Sequence, residues 1–162
     1  MRILKWLLLT IAALALLGIA AGRLGLLRGK APTDLGVNQG KLKAPSLTPN
    51  SVSSQADLWP GHVQQAYARV APLTVAGAAD TVMTKVQAAV QATPGAVVVK
   101  ADGDYLYAQV STPLMQYTDD LECWFDRAAG VVQVRSASRL GRSDLGANRR
   151  RVEALRARLA GP

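Results

Sequence analysis

The sequence has few of the residues that build most catalytic and metal centres. Among 162 residues there is one cysteine, Cys123, and one histidine, His62. A lone cysteine cannot close an intramolecular disulfide, and these two residues cannot supply a cysteine-rich zinc site. His62 follows Trp59-Pro60-Gly61 with no nucleophile near it in sequence, so we expect a loop histidine. The sequence therefore predicts no metal site and no cofactor.

Acidic residues are also scarce, and the excess of positive charge is local. The chain carries 19 Lys and Arg against 11 Asp and Glu, a net charge of +8. Residues 135–162 hold eight arginines and two acidic residues but no aromatic side chain. Single-stranded nucleic acid is usually held by aromatic residues interleaved with basic ones. We therefore expect no nucleic acid, and an anionic lipid or an acidic protein as the partner of this basic segment.

The one long apolar run lies at the N-terminus. Residues 6–22 carry no charge and are dominated by Leu, Ala and Ile. As a helix they span roughly 25 Å against a hydrocarbon core of about 30 Å, so flanking leucines must contribute while Lys5 and Arg23 reach for the interface. Residues 1–28 are thus predicted to be a signal anchor or a cleaved signal peptide, with a buried core helix as the remaining alternative.

This segment also sets the expected location. We expect a membrane or cell-envelope protein with a single N-terminal span and the domain on the exported side. Basic residues flank the apolar run on both sides, Arg2 and Lys5 before it and five Lys or Arg between 23 and 43 after it. The positive-inside rule therefore does not itself favour export.

The rest of the chain divides into an extended part and one domain. Residues 29–56 are rich in Gly, Pro, Ser, Lys and Asn without an apolar period, which indicates an extended linker or an arm that wraps the domain. Residues 57–162 form the single domain. In it Asp80 is predicted to cap a helix that ends before Pro94-Gly95, and a last helix begins within 144–148. Its expected apolar stripe is Leu145, Val152, Leu155 and Leu159.

Four runs between the helices alternate apolar and polar residues, as strands do. They are 96–100, 105–111, 119–126 and 131–137, and 70–76 is a candidate for a further short strand. Asp102-Gly103 and 127–130 have the composition of hairpin turns, which makes the sheet antiparallel. The predicted class is α+β: one antiparallel sheet of four to five strands with two helices packed on one face, preceded by the N-terminal apolar helix.

Polar residues gather near the end of the last strand and the start of the last helix, where a phosphate or carboxylate is easily held. The candidate anion-binding residues are Arg135, Ser136, Ser138, Arg139, Asn148 and Arg149. The alternative is structural: Arg135 and Arg139 pair with Asp119, Asp120 or Glu122 on a neighbouring strand, and Asp144 caps the helix.

A hydrolase-type enzyme is the second functional hypothesis, with a polar site around Asp119, Asp120, Arg135 and Arg139. Adjacent strand residues point to opposite faces, so Asp119 and Asp120 cannot easily share a substrate. Ser136 and Ser138 lack the Gly-x-Ser-x-Gly context of a nucleophile elbow. We therefore expect a non-catalytic, membrane-associated domain that binds an anionic partner or a lipid headgroup through its C-terminal arginines.

Three stretches resemble one known family. They are SLTPNSVSSQA (residues 46–56), YTDDLECWFD (117–126) and VRSASRLGRSDLGANRRRVEALR (134–156), and they are similar to the domain of unknown function 1499 family over roughly 35–159. The resemblance implies a small domain, often behind a signal or anchor, with no assigned activity and no catalytic residues to transfer. This chain departs from it at Ala44 and Ser51, where many members have cysteines.

Overall fold

A computed structural model describes residues 2–161. The first element is the long helix α1 (Arg2–Arg23). After an extended segment come strand β1 (Ser51–Ser53), a 3₁₀ turn (Ala56–Leu58), and helices α2 (Gln65–Ala68) and α3 (Ala79–Gln91). Strands β2 (Ala96–Asp102), β3 (Tyr105–Ser111), β4 (Thr118–Asp126) and β5 (Val131–Ser138) follow, and α4 (Ala147–Ala160) ends the fold.

The strands form one antiparallel sheet in the order β1-β5-β4-β3-β2. β2 to β5 are consecutive neighbours joined by short turns. β1 comes from residues 29–56, the predicted linker or arm, and adds to β5 at the edge. β2, at the other edge, has an irregular register between Val98 and Lys100. The α+β prediction is confirmed, and the fifth strand is β1.

Helices α3 and α4 cover one face of the sheet, where the core lies. The alternation along β3 and β4 places Leu106, Leu121 and Cys123 on this face, as the period of two requires. Val86 of α3 and Val152 of α4 are fully buried against them. Burying such side chains is the main favourable term in folding, at about 1.5–3 kcal/mol each.

Residues 70–76 do not form the short strand that the sequence suggested. Leu73 alone pairs with Val132, in an isolated bridge. Pro72 has no backbone N–H to donate, so a regular ladder cannot form there.

The helix starts also differ in detail from the prediction. α3 begins at Ala79 with Ala78 as its N-cap, so Asp80 lies in the first turn instead of capping it, where its charge still suits the helix dipole. Leu145 precedes α4 in a left-handed conformation, with φ 50°, and its side chain is exposed. It is therefore not part of the apolar stripe, whereas Val152 and Leu155 are buried.

The second face of the sheet is polar but covered. β4 places Asp120 and Glu122 on this face, and β5 places Arg135 there; all three are buried. The covering segment, residues 30–47, lies over them, and the backbone N–H of Gly36 donates to Glu122. The covering segment therefore helps to bury ionisable groups.

Helix α1 is the one described helix that is long and apolar enough to cross a membrane, a property that a signal sequence shares. Its residues are almost all exposed. It touches the domain through Gly18 and Gly22, which lie against Met115 in the β3–β4 loop. This contact fixes which end of the sheet faces the helix.

Candidate functional site

Glu122 anchors the buried polar face of the sheet. Its side chain is 0% exposed, and it accepts hydrogen bonds from the Gly36 N–H at 2.9 Å and from the Tyr105 hydroxyl at 2.8 Å. Arg135 Nη1 lies 3.4 Å from its second oxygen. Burial, followed by the Glu122 charge, raises the pKa of Tyr105, so the phenol stays protonated and donates.

A second pair, Arg139 and Asp120, lies beside the first. The guanidinium makes a bidentate contact, with Nη2 2.7 Å from Oδ1 and Nε 3.0 Å from Oδ2. Tyr107 donates to the same carboxylate at 2.6 Å. Hydrogen bonding to Asp120 raises the pKa of Arg139. This pair is well formed, as fork-shaped Arg–carboxylate contacts are.

Arg135 is less well paired than Arg139, although its side chain is only 5% exposed. A guanidinium has five N–H donors. Among the described residues Arg135 donates to Glu122 and to the Ala44 carbonyl, at 3.4 and 3.3 Å. Burial lowers its pKa, while the Glu122 charge opposes that shift. Arg135 is thus a buried cation with long bonds and unused donors.

A cleft of about 660 Å³ opens between the covering segment and the sheet, above these pairs. Six charged side chains line it: Lys30, Asp34, Lys43, Asp120, Arg135 and Arg139. Lys43 forms an ion pair with Asp34 at 2.6 Å, and it lowers the pKa of that carboxyl. Four cations against two carboxylates leave the cleft wall with a net positive charge.

The serines and the asparagine of the predicted site lie on the helix side of the sheet. Ser136 donates to Asn148 Oδ1 at 2.6 Å, and Asn148 Nδ2 donates to Ser138 Oγ at 3.0 Å. Arg151 completes this network by donating to Ser136 and to Asp119, at 2.8 and 2.6 Å. Most of its polar groups are bonded to one another.

Asp144 and Arg149 hold the beginning of α4. Asp144 accepts from the backbone N–H of Asn148 at 2.8 Å and from the Tyr67 hydroxyl. Burial raises the pKa of Asp144, but these hydrogen bonds outweigh it and the net pKa is lowered. Arg149 donates to the carbonyls of Tyr67 and Arg69.

The structure thus divides the predicted anion-binding residues between two faces. It brings Arg135 and Arg139 together at the cleft and places Ser136, Ser138 and Asn148 beneath α4. The ion pairs of the structural alternative are present as well. Asp119 and Asp120 point to opposite faces, as expected, so a hydrolase site here would have to use Asp120 without Asp119. Anion binding by these residues remains a prediction.

A family model described as a protein of unknown function (DUF1499) matches residues 41–159. The chain belongs to the DUF1499 family. The match covers the whole sheet together with α2, α3 and all but the last residue of α4, so the resemblance noted from the sequence is confirmed. No curated protein and no solved structure matches the chain.

Sequence reasoning missed three residues of the cleft in this DUF1499 chain, Lys30, Asp34 and Lys43. They belong to the covering segment, which has no periodicity to say what it touches. Arg151 was missed too, although it stands next to Arg149 and Arg150. Its spacing from Asn148, one helical turn earlier, was the available signal.

Proposed function

We propose that the DUF1499 domain is a non-catalytic, membrane-associated module that binds an anionic group in the cleft between the covering segment and the sheet. The observation that carries the proposal is Arg135, a buried guanidinium that lines the cleft with unused donors. A phosphate or a carboxylate would accept hydrogen bonds from these unused donors of Arg135.

The electrostatics of the cleft support the same ligand chemistry. Arg139 keeps its charge through its bidentate contact with Asp120, and Lys30 and Lys43 add charge from the opposite wall. Guanidinium groups match the planar geometry of carboxylate and phosphate oxygens. An anion held there would meet cations from both walls, and it would link the covering segment to the sheet.

The arginines of α4 are less suited to this task. Arg149 and Arg156 donate to backbone carbonyls of residues 67–72, and Arg151 is paired with Asp119. Their donors already hold the α4 surface to its neighbours. We therefore assign the ligand to Arg135 and Arg139 among the C-terminal arginines.

Membrane association is the second part of the proposal. The apolar helix α1 supports it by length and composition, and we propose that α1 is retained as an anchor. A cleft close to the membrane could receive either a free anion or the headgroup of an anionic lipid. The two sources share the phosphate group that the cleft would recognise.

Calorimetric titration of the full-length protein in detergent tests the cleft. The two probes are inorganic phosphate and a short-chain phosphatidic acid. The variant Lys30→Gln with Lys43→Gln removes the two cations of the covering segment and leaves the sheet intact. We expect it to weaken binding about tenfold or more, equivalent to about 1.4 kcal/mol.

The matched control is Lys85→Gln with Lys100→Gln, which changes the net charge equally but lies outside the cleft. Equal affinities in the two double variants would show that the cleft is not the site. Binding of the lipid without binding of phosphate would identify a headgroup ligand, and the reverse would identify a free anion.

A further inference from the structure

Four large apolar side chains are exposed at the end of the sheet that faces α1. This apolar rim consists of Leu114, Tyr117, Leu140 and Leu145, which are 41–84% exposed. Tyr117, Leu140 and Leu145 border one cleft together with Leu27, which follows α1. The rim is therefore continuous with the chain leaving the apolar helix.

The contact between α1 and the domain determines how deep the rim would lie in a bilayer that α1 spans. Met115, next to Leu114 in sequence, lies against Gly18 and Gly22. Gly18 precedes Arg23 by five residues, a distance of about 7.5 Å along a helix axis. Groups that bind at membrane interfaces lie about 5–10 Å into the headgroup and acyl boundary. With Arg23 at the headgroups, the tip of the β3–β4 loop lies in that layer.

The charged residues also differ between the two ends of the sheet. Arg23, Arg28, Arg142 and Arg150 are exposed at the end that carries the rim. Of the carboxylates near them, Asp119 and Asp120 are buried in ion pairs. Asp144 is partly buried and accepts hydrogen bonds from Tyr67 and from the backbone at the start of α4. The opposite end contains the β2–β3 and β4–β5 turns, and it carries Asp102, Asp104 and Asp126. Asp102 and Asp104 are paired there with Lys100 and Arg127. An anionic surface would thus attract the rim end more strongly than the far end.

We propose that the apolar rim inserts into the interfacial layer of the bilayer that α1 spans, while the surrounding arginines contact anionic headgroups. The inference rests on the retained anchor in the proposed function and is independent of ligand binding in the cleft. The domain is then held against the membrane in one orientation, instead of moving freely on a tether. A second copy or another protein on the rim is an alternative that the test separates.

The test is depth-dependent quenching in full-length protein reconstituted into vesicles of phosphatidylcholine and phosphatidylglycerol. Leu114→Cys and Leu145→Cys carry a small environment-sensitive fluorophore, and doxyl-labelled lipid is the quencher. Cys123 is fully buried, and burial raises the pKa of its thiol to about 12, so it stays unlabelled in the folded protein. Leu14→Cys, midway along the apolar run, reports whether α1 lies in the bilayer.

Ala128→Cys is the matched negative control. It is an exposed residue in the β4–β5 turn, more than about 26 Å from the start of β4 at the rise of a strand. We expect blue-shifted emission and loss of most fluorescence to the quencher at positions 14, 114 and 145, with neither effect at 128.

Each of the other outcomes contradicts one part of the proposal: the anchor, the insertion of the rim or the fixed orientation of the domain. Quenching at 14 but not at 114 and 145 would refute rim insertion while leaving the anchor intact, and would favour a protein on the rim. Absence of quenching at 14 would refute the anchor and the docking proposal with it. Quenching at 128 as strong as at 114 would show that the domain has no fixed orientation. Two rim positions are used so that poor folding of one variant does not decide the result.

Discussion

Beneath the covering segment, Arg135 and Glu122 face each other with almost no contact with solvent. Removing two charges from water costs several kcal/mol per ion, and a buried pair offsets this cost only if further hydrogen bonds satisfy it. Glu122 has such bonds from Tyr105 and Gly36, whereas Arg135 has only long ones. The glutamate is therefore held by the fold, and the arginine is the partner open to a ligand.

Replacing Arg135 with alanine should destabilise the domain strongly, because it leaves the Glu122 carboxylate buried without its counter-ion. We expect a loss on the order of 3 kcal/mol in the free energy of unfolding, measured by urea denaturation followed by circular dichroism. Arg150→Ala is the control, since Arg150 is exposed and such arginines contribute about 0–1 kcal/mol. Similar losses in both variants would contradict the buried-pair interpretation.

Asp144 gives a prediction on pH. Its pKa is below the ordinary value of 3.8 in the folded protein, so its ionised form stabilises the native state above that pH. This contribution is lost as the pH falls through the lowered pKa. Asp144→Asn keeps an acceptor oxygen but loses the charge, so it should be less stable than the parent at pH 7 by about 0.3–1 kcal/mol, the contribution of a negative charge near a helix N-terminus.

The difference between Asp144→Asn and the parent should shrink as the pH falls below 3.8, because protonation makes the parent carboxyl neutral too. Melting temperatures of both proteins from neutral to strongly acidic pH measure this convergence. A difference that stays constant across that range would exclude a role for the Asp144 charge.

At the scale of elements, the strands that could be predicted from the sequence are those marked by local patterns. β3 was predicted with the observed bounds, and β4 and β5 within one residue, because alternation and turn residues are both local signals. β1 was not predicted: it has three residues, and Val52 pairs with Ser136, 84 positions later. No short-range pattern records such a partner.

One wall of the cleft could be predicted from the sequence and the other could not. Arg135 and Arg139 stood out as basic residues at a strand end, and their acidic partners lay on the neighbouring strand. The opposite wall was not predictable, because the covering segment has neither a period nor regular structure. Its position depends on tertiary contacts such as the Gly36 N–H to Glu122.

The junction between α3 and β2 provides a test at this scale. Gly95 has φ 76°, and a Cβ on it would overlap the Ser111 carbonyl oxygen. Gly103, in the β2–β3 turn, also has a positive φ, but a Cβ added there would have no other atom within 4 Å. The two glycines thus share a backbone conformation and differ in the space around them.

Gly95→Ala should destabilise the fold more than Gly103→Ala. Both changes carry the left-handed penalty of roughly 1–2 kcal/mol, and only the first forces backbone atoms apart. Thermal unfolding of the two variants measures the difference. Equal melting temperatures would show that β2 can shift away from Ser111 at little cost.

For the whole molecule, the retained anchor predicts a simple fractionation result. The full-length protein with a C-terminal tag should pellet with membranes and resist carbonate extraction, because α1 buries its apolar surface in lipid. N-terminal sequencing should return the original start. Recovery in the soluble fraction with a new N-terminus near Gly22 would demonstrate cleavage instead.

The irregular register of β2 has a consequence for solubility. β2 is an open edge of the sheet, with Val97 and Val99 64% and 53% exposed, and a flat apolar edge can recruit strands from other copies. β2 has a register break between Val98 and Lys100, and it carries that lysine. Such bulges and edge lysines both oppose edge-to-edge pairing. Regularising β2 should therefore leave the fold intact while making the protein prone to aggregate.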